Sequence, residues 1–162
     1  MIEVKKLPED RWKEHRDLRL EALQSDPIAY SSSYEYTEQL SEDVWKRRLS
    51  NVLFALSDDK PVGMIVYYFE SETKIQHIAN IFGVFVKKEY RGQGVGKKLM
   101  QSALSEIVKN SAIAKVKLTV TSVQTAAVKL YEKFGFKTVG KLEKELFVDG
   151  RYYDELVMEK HL

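Results

Sequence analysis

The sequence predicts an α/β protein of the α+β kind. It would be one domain over residues 1–162, a mixed, mostly antiparallel sheet of about seven strands with helices on both faces. Three observations predict it. Ile81–Val86 is a continuous apolar run of strand length. It enters a glycine-dense turn, Arg91–Gly96, and then a segment in which Val95, Leu99, Ala103 and Ile107 recur every four residues, as on one face of a helix. Upstream, apolar stretches at 52–56, 62–69 and 75–86 alternate with short polar turns, the pattern of an antiparallel meander. At the C-terminus, Lys144–Val148 and Tyr152–Met158 flank Asp149-Gly150, a pair suited to a tight hairpin turn.

Each element has its own signal. The chain opens on a strand, Ile2–Lys6. Pro8, Glu9 and Asp10 put proline and acids into a first helical turn. Trp12, His15, Leu18 and Ala22 then recur at three or four residues, a buried stripe that places His15 among packing residues. The helix ends before Asp26-Pro27, because the residue ahead of a proline disfavours the α region. Ile28–Leu40 is irregular, with three tyrosines, three serines and two acids. It reads either as a solvated loop with a short helix or as a wall in which Tyr30, Glu35 and Glu38 hold a cationic amine. Ser41 caps a helix containing Val44, Trp45, Arg48 and Leu49. Val52–Leu56, Val62–Phe69 and Ile75–Val86 are strands, separated by turns at Asp58–Pro61 and Glu70–Thr73. Beyond the glycine turn and its helix, Lys115–Val120 alternates strictly, so one of its faces is buried. A helix joins it to the preceding strand, which makes the two parallel neighbours. Ala127, Leu130 and Phe134 form another helical stripe, which Gly135 stops in a left-handed conformation.

Composition excludes several function classes. The 44% hydrophobic and 31% charged fractions are those of a soluble globular protein. A net charge of +2 gives no argument for a nucleic-acid or membrane partner. The absence of cysteine removes disulfides, thiolate metal sites and a cysteine acyl-enzyme. His15, His77 and His161 show no ligand spacing, so no metal site is expected. There is no signal peptide or membrane-spanning run, and the expected location is cytoplasmic.

The strand, glycine turn and helix around Arg91–Gly96 bring free backbone N–H groups and the positive end of a helix dipole to one point, an anion site. Two familiar phosphate loops fail on spacing. A P-loop counted back from Gly96-Lys97 finds Arg91 where glycine is needed and Lys98 where serine or threonine is needed. A dinucleotide fingerprint begun at Gly92 and Gly94 runs into Lys97. What remains is Arg91-x-x-Gly94-x-Gly96. On the residues alone, a pyrophosphate cradle and a ligand-free turn both stay open.

That pattern resembles the acetyl-coenzyme A pyrophosphate loop of the GNAT acetyltransferase superfamily, Gln/Arg-x-x-Gly-x-Gly/Ala after a long strand. A second segment is similar to the superfamily's Asn-x-x-Ala-x-x-x-Tyr-x-x-x-Gly-Phe helix at Ala127, Tyr131, Gly135 and Phe136, with Gln124 where asparagine is usual. The stretch from Leu18-Arg19 through Asp26-Pro27 to the serine cluster also resembles one subset of bacterial members, in which it covers the acceptor site.

The resemblance implies a sheet splayed between its fourth and fifth strands, with acetyl-CoA in the gap. Backbone groups of Val84, Phe85 and Val86 would meet the pantetheine arm and the developing oxyanion. Arg91, Gly92, Gln93, Gly94, Val95, Gly96 and Lys97 would hold the pyrophosphate, and Gln124 would meet the cofactor. Tyr131 would protonate the departing thiolate, with packing as its alternative role. Several members carry a glutamate on the long strand where this chain has Asn80. An amide is no base, so His77, Glu35, Glu38 or a water chain ending at Asn80 is expected to stand in. The implied activity is acetyl transfer to the primary amine of a small molecule or peptide, by direct attack in a ternary complex. A noncatalytic acyl-CoA-binding sensor is the alternative, and monomer versus homodimer stays open.

Overall fold

The structure, a computed structural model, describes residues 1–162. Its strands are β1 (Ile2–Lys5), β2 (Val52–Ser57), β3 (Lys60–Phe69), β4 (Ile78–Val86), β5 (Lys115–Thr121), β6 (Lys137–Val148) and β7 (Arg151–His161). Its helices are α1 (Trp12–Ser25), α2 (Tyr34–Glu38), α3 (Glu42–Arg48), α4 (Val95–Ile107) and α5 (Thr125–Lys133). The strands form one seven-stranded sheet in the order β1-β2-β3-β4-β5-β7-β6. All pairs are antiparallel except β4–β5, which α4 connects.

Both faces of the sheet are covered, and β2 shows why. Leu53 and Ala55 join the core under α4 and α5 with Leu99, Met100, Ala103, Ile107 and Tyr131. Val52, Phe54 and Leu56, pointing the other way, pack under α1 with Leu18, Ala22 and Leu23. A strand buried on both faces reads as an unbroken apolar run. Each such Leu or Phe contributes roughly 1.5–3 kcal/mol when fully buried.

Two features of β4 position the site. Its pairing with β5 is brief: only Ile78, Ala79 and Asn80 oppose Lys115, Val116 and Lys117. Beyond them the strands part, leaving β4 to continue to Val86 with no strand on that side. Second, β4 carries a bulge. Val66 opposes Phe82 and Met64 opposes Phe85, so β4 advances by one residue more than β3. The extra residue is accommodated at Gly83, whose φ of +60° suits glycine. The bulge inverts the alternation. Ala79 and Ile81 face the α4 side, Val84 and Val86 do so after it, and Phe85 turns into the α1 core.

Some boundaries differ from the sequence reading. The acids after Pro8 start a 3₁₀ turn, Glu9–Arg11, and α1 follows it. Ser41 stands at the start of α3, but only its carbonyl serves, accepting the N–H groups of Val44 and Trp45. Residues 73–77 turn rather than extend, so β4 begins at Ile78. The final hairpin is longer than its turn signal suggested. β6 begins at Lys137 because a second irregularity, with Lys144 at φ +55°, lets a largely exposed strand keep pairing with β7.

Candidate functional site

The site is a cavity of about 1130 Å³ that passes through the gap between β4 and β5. Its walls come from both faces of the sheet. Val95, Gly96 and Lys97 of α4 and Ala127, Leu130 and Tyr131 of α5 line it on one side, and Arg19 of α1, Tyr30 and Met64 on the other.

At the α4 end the chain presents unused donors. Gly92 and Gly94 sit at φ +74° and +80°, left-handed conformations in which L side chains are costly. An added Cβ at either would meet nothing within 4 Å, so the reason for glycine here is conformational, and the space in front stays open. Gly94 is the N-cap of α4 and no side chain fills the cap. From Gly92 to Lys97 no backbone N–H donates to another group of the chain. Those donors, the helix dipole and the ammonium groups of Lys97, Lys129 and Lys133 suit a phosphate-bearing ligand. Arg91 also lines the cavity, but its guanidinium turns back onto the protein. Nε donates to the Val86 carbonyl at 2.8 Å, and the fork pairs with Asp26 at the end of α1. Arg91 therefore ties the turn to α1. Gln93 lies outside the lining, its amide donating to the Glu89 carbonyl at 2.8 Å.

Midway, Val84, Phe85 and Val86 border the cavity along the unpaired part of β4. Tyr131 reaches it from α5 and is 7% exposed, its ring edge-on to Phe136 with centroids 6.2 Å apart. Burial pushes its hydroxyl up to about 12, so the phenol stays protonated at neutral pH and is a donor. Gln124 lines the cavity as the N-cap of α5, and its side chain makes no capping bond.

The far mouth opens on the α1 face. Tyr30 is buried there, its hydroxyl donating to the Val84 carbonyl at 2.9 Å, which braces the strand beside the bulge. Ser31 and Ser32 continue the wall. Glu35 and Glu38 do not: both are exposed on α2, outside the lining. Asn80 is also outside, its amide donating to Glu70 at 2.8 Å. His77 lies in the turn before β4 and is exposed. The acid at this mouth is Glu155 of β7, a residue the sequence reading did not single out. Burial, with Glu145 adding to it, pushes its carboxyl above the ordinary range, and the neighbouring Thr119 opposes the shift. No signal in the hairpin's spacing distinguishes it from the other acids there. Arg19, which opens the stretch likened to an acceptor-site cover, and Arg48, which carried no functional reading, are also at this mouth. No group of three or more His, Asp or Glu side chains converges as a metal site. No helix is long and apolar enough to cross a membrane.

Residues 10–136 match the family model described as the acetyltransferase (GNAT) family. The chain is 33% identical to the SPbeta prophage-derived N-acetyltransferase YokL of Bacillus subtilis over 117 residues, 72% of this chain and 62% of that protein. It is 25% identical to the L-amino acid N-acetyltransferase AaaT of Escherichia coli, over 93% of this chain and 95% of that one. Among solved structures, yncA of Salmonella typhimurium, solved with its cofactor acetyl-CoA, superposes with a TM-score of 0.85 at 15% identity. That match covers all of this chain and 94% of that one.

Proposed function

The chain belongs to the GNAT family of acetyltransferases and is an acetyl-CoA-dependent N-acetyltransferase, and from that premise we propose that its acceptor is the primary amine of a small molecule, attacked directly in a ternary complex. One observation carries the proposal. A single cavity joins the free N–H groups of residues 92–97 to Tyr131 and then leaves by the opposite face of the sheet, at Glu155. The relative AaaT is named as an N-acetyltransferase of L-amino acids, which are small amines.

Acetyl-CoA supplies an activated thioester. The rest is done by the chain. The 92–97 turn, with Lys97, Lys129 and Lys133, holds the phosphates. The open edge of β4 beyond Asn80 offers backbone groups to an extended pantetheine arm. Main-chain N–H groups near Val84–Val86 steady the oxygen that gains charge as the C–N bond forms. Glu155 takes one proton from the incoming ammonium and passes it to solvent. A free amine, with its lone pair, then attacks. As the C–S bond breaks, a proton must reach sulfur. Tyr131, at about 12, is a weaker acid than a thiol at about 8.5. It therefore acts by donating a strong hydrogen bond to the departing sulfur, and the second amine proton completes the thiol. The balance is one amide, one thiol and one proton released.

The test is release of coenzyme A thiol from acetyl-CoA across a panel of small primary amines. Release that depends on the amine, with the N-acetyl product seen by mass spectrometry, is expected. Tight acetyl-CoA binding with no release on any amine of the panel would favour the sensor alternative and defeat the proposal.

A further inference from the structure

The cavity's far mouth holds a charge that the acetyl-transfer chemistry does not use. Arg19 projects from α1 into the lining, and its Nη1 is fully buried without a hydrogen-bond partner. Its guanidinium lies over the Tyr30 ring, 4.5 Å from the centroid. It also reaches the bulge, with Nη1 3.8 Å from where a Cβ on Gly83 would stand. The charged and polar groups felt by Arg19 are Tyr30 and Arg48, with no carboxylate among them. Arg48, from the end of α3, lines the same mouth with its guanidinium 5.5 Å from the Trp45 ring centroid. Asp26, the nearest lining acid in the chain's own sequence, is already paired with Arg91. The remaining lining carboxylate, Glu155, comes from β7 and is not among the groups felt by Arg19.

A desolvated guanidinium with an unfilled donor and a second cation beside it is a costly arrangement in an empty pocket. It becomes favourable once an anion enters. We propose that Arg19 and Arg48 form a carboxylate-binding subsite, so that the acceptor is a small amino acid or a close relative carrying amine and carboxylate on one molecule. The planar fork of arginine matches a carboxylate with two parallel hydrogen bonds. Ser31 and Ser32 add hydroxyl donors on the same wall. The acceptor mouth is thus cationic on its α1–α3 wall and anionic at Glu155, the complement of a zwitterion. The backbone N–H cradle suited to phosphate is at the other end of the cavity, on residues 92–97, which favours carboxylate over phosphate here.

The inference rests on acetyl transfer to a small amine, and its test separates the two. Each amino acid is compared with its decarboxylated amine, its carboxamide and its aminophosphonate analogue, as kcat/KM for coenzyme A release. A site built around a polar group discriminates strongly against analogues that lack it. The wild type should prefer the carboxylate over the decarboxylated amine by about 100-fold or more. In Arg19→Gln that ratio should fall to within several-fold of one, with Arg19→Lys intermediate because it keeps charge and loses the fork. Arg48→Gln, at an exposed position where folding is not at issue, should reduce the ratio as well. A preference for the aminophosphonate would overturn the carboxylate assignment. So would a ratio near one in the wild type, or a ratio unchanged in both Gln variants, which would leave Arg19 as packing for Tyr30. Calorimetric binding of the amino acid to the coenzyme A complex gives a readout independent of turnover. Binding lost in Arg19→Gln sustains the subsite even if no amine is acetylated. Acetylation of decarboxylated amines alone sustains acetyl transfer and removes the subsite.

Discussion

The motif spacing singles out Tyr131, and the fold sets it in the cavity wall. Tyr131→Phe keeps the ring against Phe136 and removes only the donor. It should lower kcat by roughly 10²–10³-fold with acetyl-CoA affinity near wild type, which steady-state kinetics and calorimetry will separate. Glu155 was not legible: it is one acid among several on an alternating hairpin, and only the folded sheet brings its β7 position to the gap. Its carboxyl is raised by burial, so it becomes a base only as pH rises through that elevated value. Activity should climb with pH across that window, and Glu155→Gln should both depress kcat and abolish that rise in the pH profile. His15 is a different case. It is 3% exposed, edge-on to Trp45 and Phe54, and burial with Arg19 and Arg48 nearby depresses it to about 3. The unfolded chain, at about 6.5, then binds a proton that the folded chain refuses, so stability is full above that value and falls below it. At pH 5.5 the loss is about 1.4 kcal/mol. Thermal unfolding between pH 7 and 5 should show it in the wild type, and His15→Leu should flatten the dependence.

At the scale of elements, the strands that declared themselves are those buried on both faces. Val52–Ser57 and the apolar part of Lys60–Phe69 have no polar interruption to misread. β6 did not, because it is exposed along nearly its whole length and two register shifts break its period. The bulge in β4 was nearly as hidden. Gly83, a lone glycine inside an apolar run, is the one mark in the residues of where pairing slips. The glycine turn was the clearest element, since its spacing excluded other phosphate loops. A carboxylate placed there tests it. The Cβ of Gly94→Asp meets no atom of the protein within 4 Å, but the residue must hold φ near +80°. That conformation costs about 1–2 kcal/mol for an L-residue and less for Asp, which visits it more readily. The variant should fold with a slightly lower melting temperature and lose the stabilisation that acetyl-CoA gives by mass action, about 2.7 kcal/mol at a hundredfold excess over Kd. An unchanged ligand-induced shift in differential scanning fluorimetry would detach the turn from the cofactor.

At the scale of the whole molecule, the parallel pair could be read from the helix that joins β4 to β5, whereas the insertion of β7 between β5 and β6 could not. How soon that pair separates could not, because Lys115–Val120 alternates no differently where it is paired and where it is free. The separation has a consequence for the order of events in turnover. Because the opening pierces the sheet, the two substrates have separate doors, and neither must leave before the other arrives. Initial rates measured at several fixed amine concentrations should give converging rather than parallel reciprocal plots. Coenzyme A should compete with acetyl-CoA for its own door while remaining noncompetitive toward the amine.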